Sequence, residues 1–123
     1  MTKQDNYEYQ KFLESKKVTK VESGFDVDIS QLNPLLFEFQ KYCVNRALNA
    51  GKFALFESCG LGKTLQQLEW ADKVSKHTNS SVLILAPLAV VAQTIKEGEK
   101  FGYKVADYEK IKPCQNDEYR IFI

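Results

Sequence analysis

The stretch "FALFESCGLGKTLQQLEWADKV", from Phe53 to Val74, decides how this chain folds. An apolar run, "KFALFES", reads as a short buried strand. Two glycines, Gly60 and Gly62, follow it as a turn, and Lys63 then opens a helix to about Lys76. Leu65, Leu68, Ala71, Asp72 and Val74 fall mostly on one side of that helix. Strand, glycine turn and helix in this order form a phosphate-binding loop when backbone N–H groups turn inward and the helix N-terminus faces the anion. Glycine allows that inward turn without steric cost. Lys63 would reach the outer phosphates, and the Thr64 hydroxyl would ligate magnesium. The position five before Gly62 is Glu57, where the general pattern has glycine. A plain turn with a solvated lysine is the competing reading. Against it, a cation at a helix N-terminus is unfavourable by roughly 0.3–1 kcal/mol unless an anion sits there.

Outward from this stretch the same grammar repeats. "SSVLILAP" reads as a second strand, apolar on both faces as parallel strands between helices are. A helix from about Ala89 to Phe101, a strand near Tyr103 to Asp107 and a last apolar run, "YRIFI", complete the series. Upstream, Leu35, Leu36, Phe39, Tyr42, Cys43, Arg46, Ala47 and Leu48 fall near a helical period. Pro34 suits a first turn, Asn33 the cap, and Gly51 the left-handed C-terminal position. The fold class expected is α/β: a three-layer, mainly parallel sheet with crossover helices, of the P-loop (RecA-like) kind, incomplete, with an N-terminal helical arm. Residues 1–30 form the arm, with a helix around Tyr9 to Lys16 packing through Phe12 and Leu13, and residues 31–123 form the domain.

Composition bounds the function. The 123 residues carry seventeen Lys and Arg against sixteen Asp and Glu, a net charge of +1, so no bulk basic field advertises nucleic acid. The three cysteines, Cys43, Cys59 and Cys114, are odd in number and form neither a CxxC nor a Cys/His cluster, which argues against a disulfide framework and a zinc site. No apolar run approaches the length of a membrane span, so the expectation is a cytoplasmic protein without a membrane partner.

These residues carry a resemblance. "NPLLFEFQ…NRALNAGKFALFESCGLGKTLQQLEWA…VLILAPLAVVAQT" resembles the first motor domain of a superfamily 2 helicase, of the DEAD/DEAH type often encoded in phages and prophages. The likeness covers about Gly24 to Gly102. It implies ATP and Mg2+ as cofactors, with Ser58, Cys59, Gly60, Leu61 and Gly62 supplying loop amides. Lys63 and Thr64 would be the catalytic pair on the phosphates and the metal. Gln40 matches the glutamine that reads the adenine edge, its alternative being a polar residue on a helix face. Phe25 is the candidate for stacking on adenine, with ordinary packing as the alternative. Cys59 in the loop reads as a small buried hydrophobe. "APLAVVAQT" matches the motif that touches a nucleic-acid backbone, through Pro87, Leu88, Gln93 and Thr94, and DNA is favoured over RNA as partner.

The acidic motif that such enzymes use for hydrolysis has no match. Asp117-Glu118 precede the last apolar run instead of following one, and read as turn residues. The expectation is therefore the front portion of a larger ATPase, which binds ATP but does not hydrolyse it alone, with the remainder of the helicase chain as partner. Self-association through an exposed sheet edge is expected for this portion. A small non-catalytic nucleotide-binding module, or a degenerate remnant acting through a partner, stays open beside it. His77 and Trp70 read as helix-end and packing residues.

Overall fold

A computed structural model describes residues 2–17, 22–114 and 117–123. Its elements are α1 (Lys3–Lys16), a 3-10 turn (Ile29–Gln31), α2 (Glu38–Ala50), α3 (Lys63–Thr78), β1 (Val82–Leu83), α4 (Leu88–Lys100), β2 (Val105–Ala106) and β3 (Ile121–Phe122). The three strands form a parallel sheet in the order β1-β3-β2, with Val82 beside Ile121 beside Val105. The last strand in the chain thus lies in the middle, and β1 and β2 are edges.

α3 packs on β1 and β3, α4 packs on β2, and the two helices touch each other, so they share one face of the sheet. α2 lies against α3 on the side away from the strands. Leu65, Leu68 and Ala71 of α3 meet Val105, Ile121, Ile84 and Ile123 in the core, and Val44 and Leu48 of α2 close it from outside. Each of these leucine, isoleucine and valine side chains contributes about 1.5–3 kcal/mol when taken fully out of water. Gly98 lets α4 approach closely, since a Cβ there would stand 2.8 Å from Val105 Cγ2. The mixed helix and parallel-sheet class is as expected. The three layers are not: among the described residues no helix covers the other face, and Leu83 and Leu85 are exposed.

The segment from Phe53 to Ser58 is the second correction. It was expected as a buried strand, but it is extended without belonging to the sheet, and Phe56 is 97% exposed. A strand exists only through a neighbour that pairs its amides and carbonyls. The described sheet consists of β1, β3 and β2, and this segment is not one of its strands.

The arm divides in two. α1 begins at a reciprocal capping box between Thr2 and Asp5, earlier than expected, and buries no residue. Phe12 and Leu13 are exposed, so the expected packing of this helix on the domain is not observed. Residues 18–21 of the arm lie outside the described residues. Residues 22–27, in contrast, are part of the fold. Ser23 N–H donates to the Ala50 carbonyl at 3.3 Å and Phe25 N–H to the Leu48 carbonyl at 3.0 Å. These are two of the carbonyls that a helix end leaves without intrahelical donors.

α2 starts later than expected. Asn33 caps a turn instead, its Oδ1 accepting from Leu35 N–H at 3.0 Å. Phe37 is the residue before the helix, and its N–H donates to Gln40 Oε1 at 2.9 Å. At the other end Gly51 takes the positive φ expected of it, 78°.

A buried polar knot joins these parts. Glu69 of α3 accepts from the Tyr103 hydroxyl, accepts from Asn33 N–H at 3.1 Å, and stands 3.4 Å from Lys73 Nζ. Asn33 Nδ2 in turn donates to the Tyr103 oxygen at 2.9 Å and to the Phe101 carbonyl at 3.3 Å. Burial first, and then the Glu69 carboxylate, push the Tyr103 phenol well above its ordinary range.

Candidate phosphate-binding loop

The loop between Glu57 and Lys63 stands at the N-terminus of α3, the longest helix, and both of its glycines use conformations that other residues resist. Gly60 has φ 81° and Gly62 φ 71°. A side chain in the left-handed region costs roughly 1–2 kcal/mol. Gly62 is doubly constrained, because a Cβ there would land on the Gln40 amide nitrogen, whereas at Gly60 it would meet nothing within 4 Å. Gly60 therefore faces open space, the side from which a ligand can approach.

Lys63 is the first residue of α3, and its Nζ folds back to donate to the Glu57 carbonyl at 3.1 Å. It thus lies across the loop, exposed, in the place where a positive helix end welcomes an anion. Thr64 follows, half-buried, in the first turn. Ser58, Cys59, Gly60 and Leu61 are exposed along the loop. Cys59 is accordingly not the buried hydrophobe expected, and its thiol is open to solvent.

Gln40 reaches this loop from α2. It is buried, with Oε1 taking the Phe37 N–H and Nε2 donating to the Leu61 carbonyl at 2.8 Å. The structure thus brings Gln40, Ser58, Cys59, Gly60, Leu61, Gly62, Lys63 and Thr64 together. The Gln40 amide thus spends one N–H and one lone pair on the backbone and keeps one of each.

Phe25 is not part of the group. Its ring stacks on His77, centroids 3.8 Å apart and planes 5° from parallel. His77 is fourteen residues after Lys63 along α3, about 21 Å at the helical rise. Phe25 therefore seals the far end of the helix, with one face already taken by the imidazole, and the expectation that it stacks on adenine is corrected. Two exposed rings, Phe37 and Phe39, precede Gln40 in the chain, and Phe37 is the more open at 70%.

The proposed nucleic-acid residues lie at a different helix start. Pro87 precedes α4 and Leu88 opens it, both exposed. Gln93 is exposed and donates to Glu97 Oε1 at 3.1 Å. Thr94 does not join them: it is 7% exposed, and its hydroxyl donates to the Val90 carbonyl at 2.9 Å within the helix. The expected hydroxyl contact is corrected to an internal one. Beside this helix start, Leu83, Leu85, Leu88, Val91 and Tyr108 line an open cavity of about 640 Å³ at the carboxyl ends of the strands.

Among the described residues no group of three or more His, Cys, Asp or Glu side chains could hold a metal ion by itself. A nucleotide-borne Mg2+ needs only one or two protein ligands, so Thr64 alone fits that mode. No described helix is long and apolar enough to cross a membrane. Comparison with protein-family models, with curated proteins and with solved structures finds no match to this chain.

Proposed function

We propose that this chain is the ATP-binding portion of an ATP-dependent nucleic-acid helicase or translocase of superfamily 2, built on a P-loop domain. One observation carries the reading. Two positive-φ glycines lead into a sixteen-residue helix whose first residue is a lysine folded over the loop. That lysine is unfavourably placed until an anion arrives, and a polyphosphate supplies the charge. In this reading the amides of the loop hold the β- and γ-phosphates, Lys63 turns from the Glu57 carbonyl to the outer phosphate, and the Thr64 hydroxyl takes one position on Mg2+. Gln40 lies against the base end of the loop and Phe37 offers an aromatic face there. Contact with a nucleic-acid backbone falls to Pro87, Leu88 and Gln93 at the start of α4, and hydrolysis to groups other than these.

Titration of a fluorescent ATP analogue with Mg2+ tests the proposal. Lys63→Ala should weaken binding at least tenfold, about 1.4 kcal/mol. Equal affinity in both proteins removes the loop from nucleotide binding and the reading with it.

A further inference from the structure

Gln66, one turn into α3, is 0% exposed and holds the loop from beneath. Its Nε2 donates to Glu57 Oε2 at 3.0 Å and to the Leu61 carbonyl at 3.1 Å. Its Oε1 is buried with no hydrogen-bond partner, alone in this among the described side chains. An amide placed only for stability would use both of its ends, because an unpaired buried acceptor is destabilising. Here the nitrogen serves two acceptors and the oxygen is sacrificed.

The two acceptors explain why. Leu61 is the residue between the loop glycines, and its carbonyl receives Gln66 from α3 and Gln40 from α2. Every described peptide bond is trans, so the C=O of Leu61 and the N–H of Gly62 point in opposite directions. Pulling the carbonyl down into the protein turns the Gly62 N–H up, away from both glutamines. Glu57 supplies the anchor. Its carboxylate takes the Gln66 amide and lies against the Cys43 thiol, whose ionisation is pushed up by burial and then by Glu57. The backbone carbonyl of the same Glu57 takes Lys63.

We propose that Gln66, anchored on Glu57, is a positioning residue that presets the phosphate-binding shape of the loop. Glu57 stands where a glycine would leave this space empty, and its side chain is the reason for that departure. The inference rests on the phosphate-loop reading above. It adds that the Glu57–Gln66 pair sets the loop before any nucleotide is present, so that its loss alters loop shape and affinity without loss of fold.

The exposed thiol of Cys59 reports the loop directly. Gln66→Leu keeps the bulk and removes both donors and the orphaned oxygen. Its melting temperature should equal or exceed that of the natural protein, alkylation of Cys59, localised by mass spectrometry, should change several-fold, and affinity for the ATP analogue should fall about tenfold. Glu57→Gln retains an acceptor for Gln66 and should preserve both readouts, while Glu57→Leu should not. Unchanged Cys59 reactivity in Gln66→Leu and in Glu57→Leu overturns the proposal. So does a loss of affinity that merely tracks a lowered melting temperature across the series. Should Gln66→Leu fail to fold, the contrast between Glu57→Gln and Glu57→Leu decides. If Lys63→Ala binds the analogue as tightly as the natural protein, the nucleotide reading fails on that ground, and the Cys59 rates still decide the positioning of the loop.

Discussion

α3 and α4 both begin where an extended segment ends, and both were expected to meet phosphates there, one set on a nucleotide and one on a nucleic-acid backbone. Their beginnings are built differently. α3 is entered through two glycines with positive φ, carries a lysine at its first position, and has two buried glutamines gripping the carbonyl before it. α4 is entered through Pro87, opens with Leu88, Ala89 and Val90, and directs its nearest hydroxyl, that of Thr94, back into its own backbone. A helix dipole alone is common to both. The two starts thus differ in the conformation of the residues before the helix, and α4 presents mainly an apolar surface with Gln93 at its rim.

The sharpest way to break this contrast is at the glycines. Gly62→Ala must adopt a left-handed backbone and displace the Gln40 amide, so we expect a loss of about 3 kcal/mol in urea unfolding and no measurable analogue binding. Gly60→Ala carries only the conformational part, about 1–2 kcal/mol. Equal losses at the two positions would show that Gln40 is not held against the loop.

The next test leaves both helix starts untouched and loosens what joins the helices. Tyr103, just after α4, donates to Glu69 in the middle of α3. Its phenol titrates above the ordinary value in the folded chain, so the unfolded chain loses its proton first as pH rises. The stabilisation is complete below about pH 10 and is lost as pH climbs past it. Tyr103→Phe should cost about 1–2 kcal/mol at neutral pH, flatten the alkaline fall in melting temperature, and leave analogue affinity unchanged. A fall in affinity would mean that the loop depends on this knot and is not locally held.

What could be read in the sequence divides along the same line. The glycine turn, the mostly apolar side of α3, the presence of α4 and the order of strands and helices are local patterns, and the structure contains the turn, both helices and a parallel sheet. Gln66 and Glu69 were passed over because polar residues on a helix read as solvent-facing, although here each is buried by a specific partner. Phe53–Ser58 was misread because an apolar composition describes a strand's preference and not its neighbours. Phe25 became a candidate through the resemblance, as an aromatic upstream of Gln40, which says nothing of direction: the segment runs past the far end of α2 and α3 and delivers its ring to His77. The start of α2 moved because Gln40, expected to face a base, caps Phe37.

The smallest effect sharpens the α4 side of the comparison. If that helix start touches a nucleic-acid backbone at all, the contact must use groups that reach solvent. Gln93 does, while its amide is held only by Glu97 on the helix surface, a weak intrahelical pairing. Gln93→Ala should therefore weaken single-stranded DNA binding by about threefold, near 0.6 kcal/mol, with a small change in stability. Thr94→Val removes a hydroxyl that a ligand cannot reach, so DNA affinity should not move. Fluorescence anisotropy at one fixed salt concentration reads both, since affinities for phosphate backbones shift with ionic strength. If Thr94→Val weakens binding as much as Gln93→Ala, the first turns of α4 must open on contact with DNA, and the contrast between a preformed helix start at α3 and an apolar one at α4 would describe the unliganded protein alone.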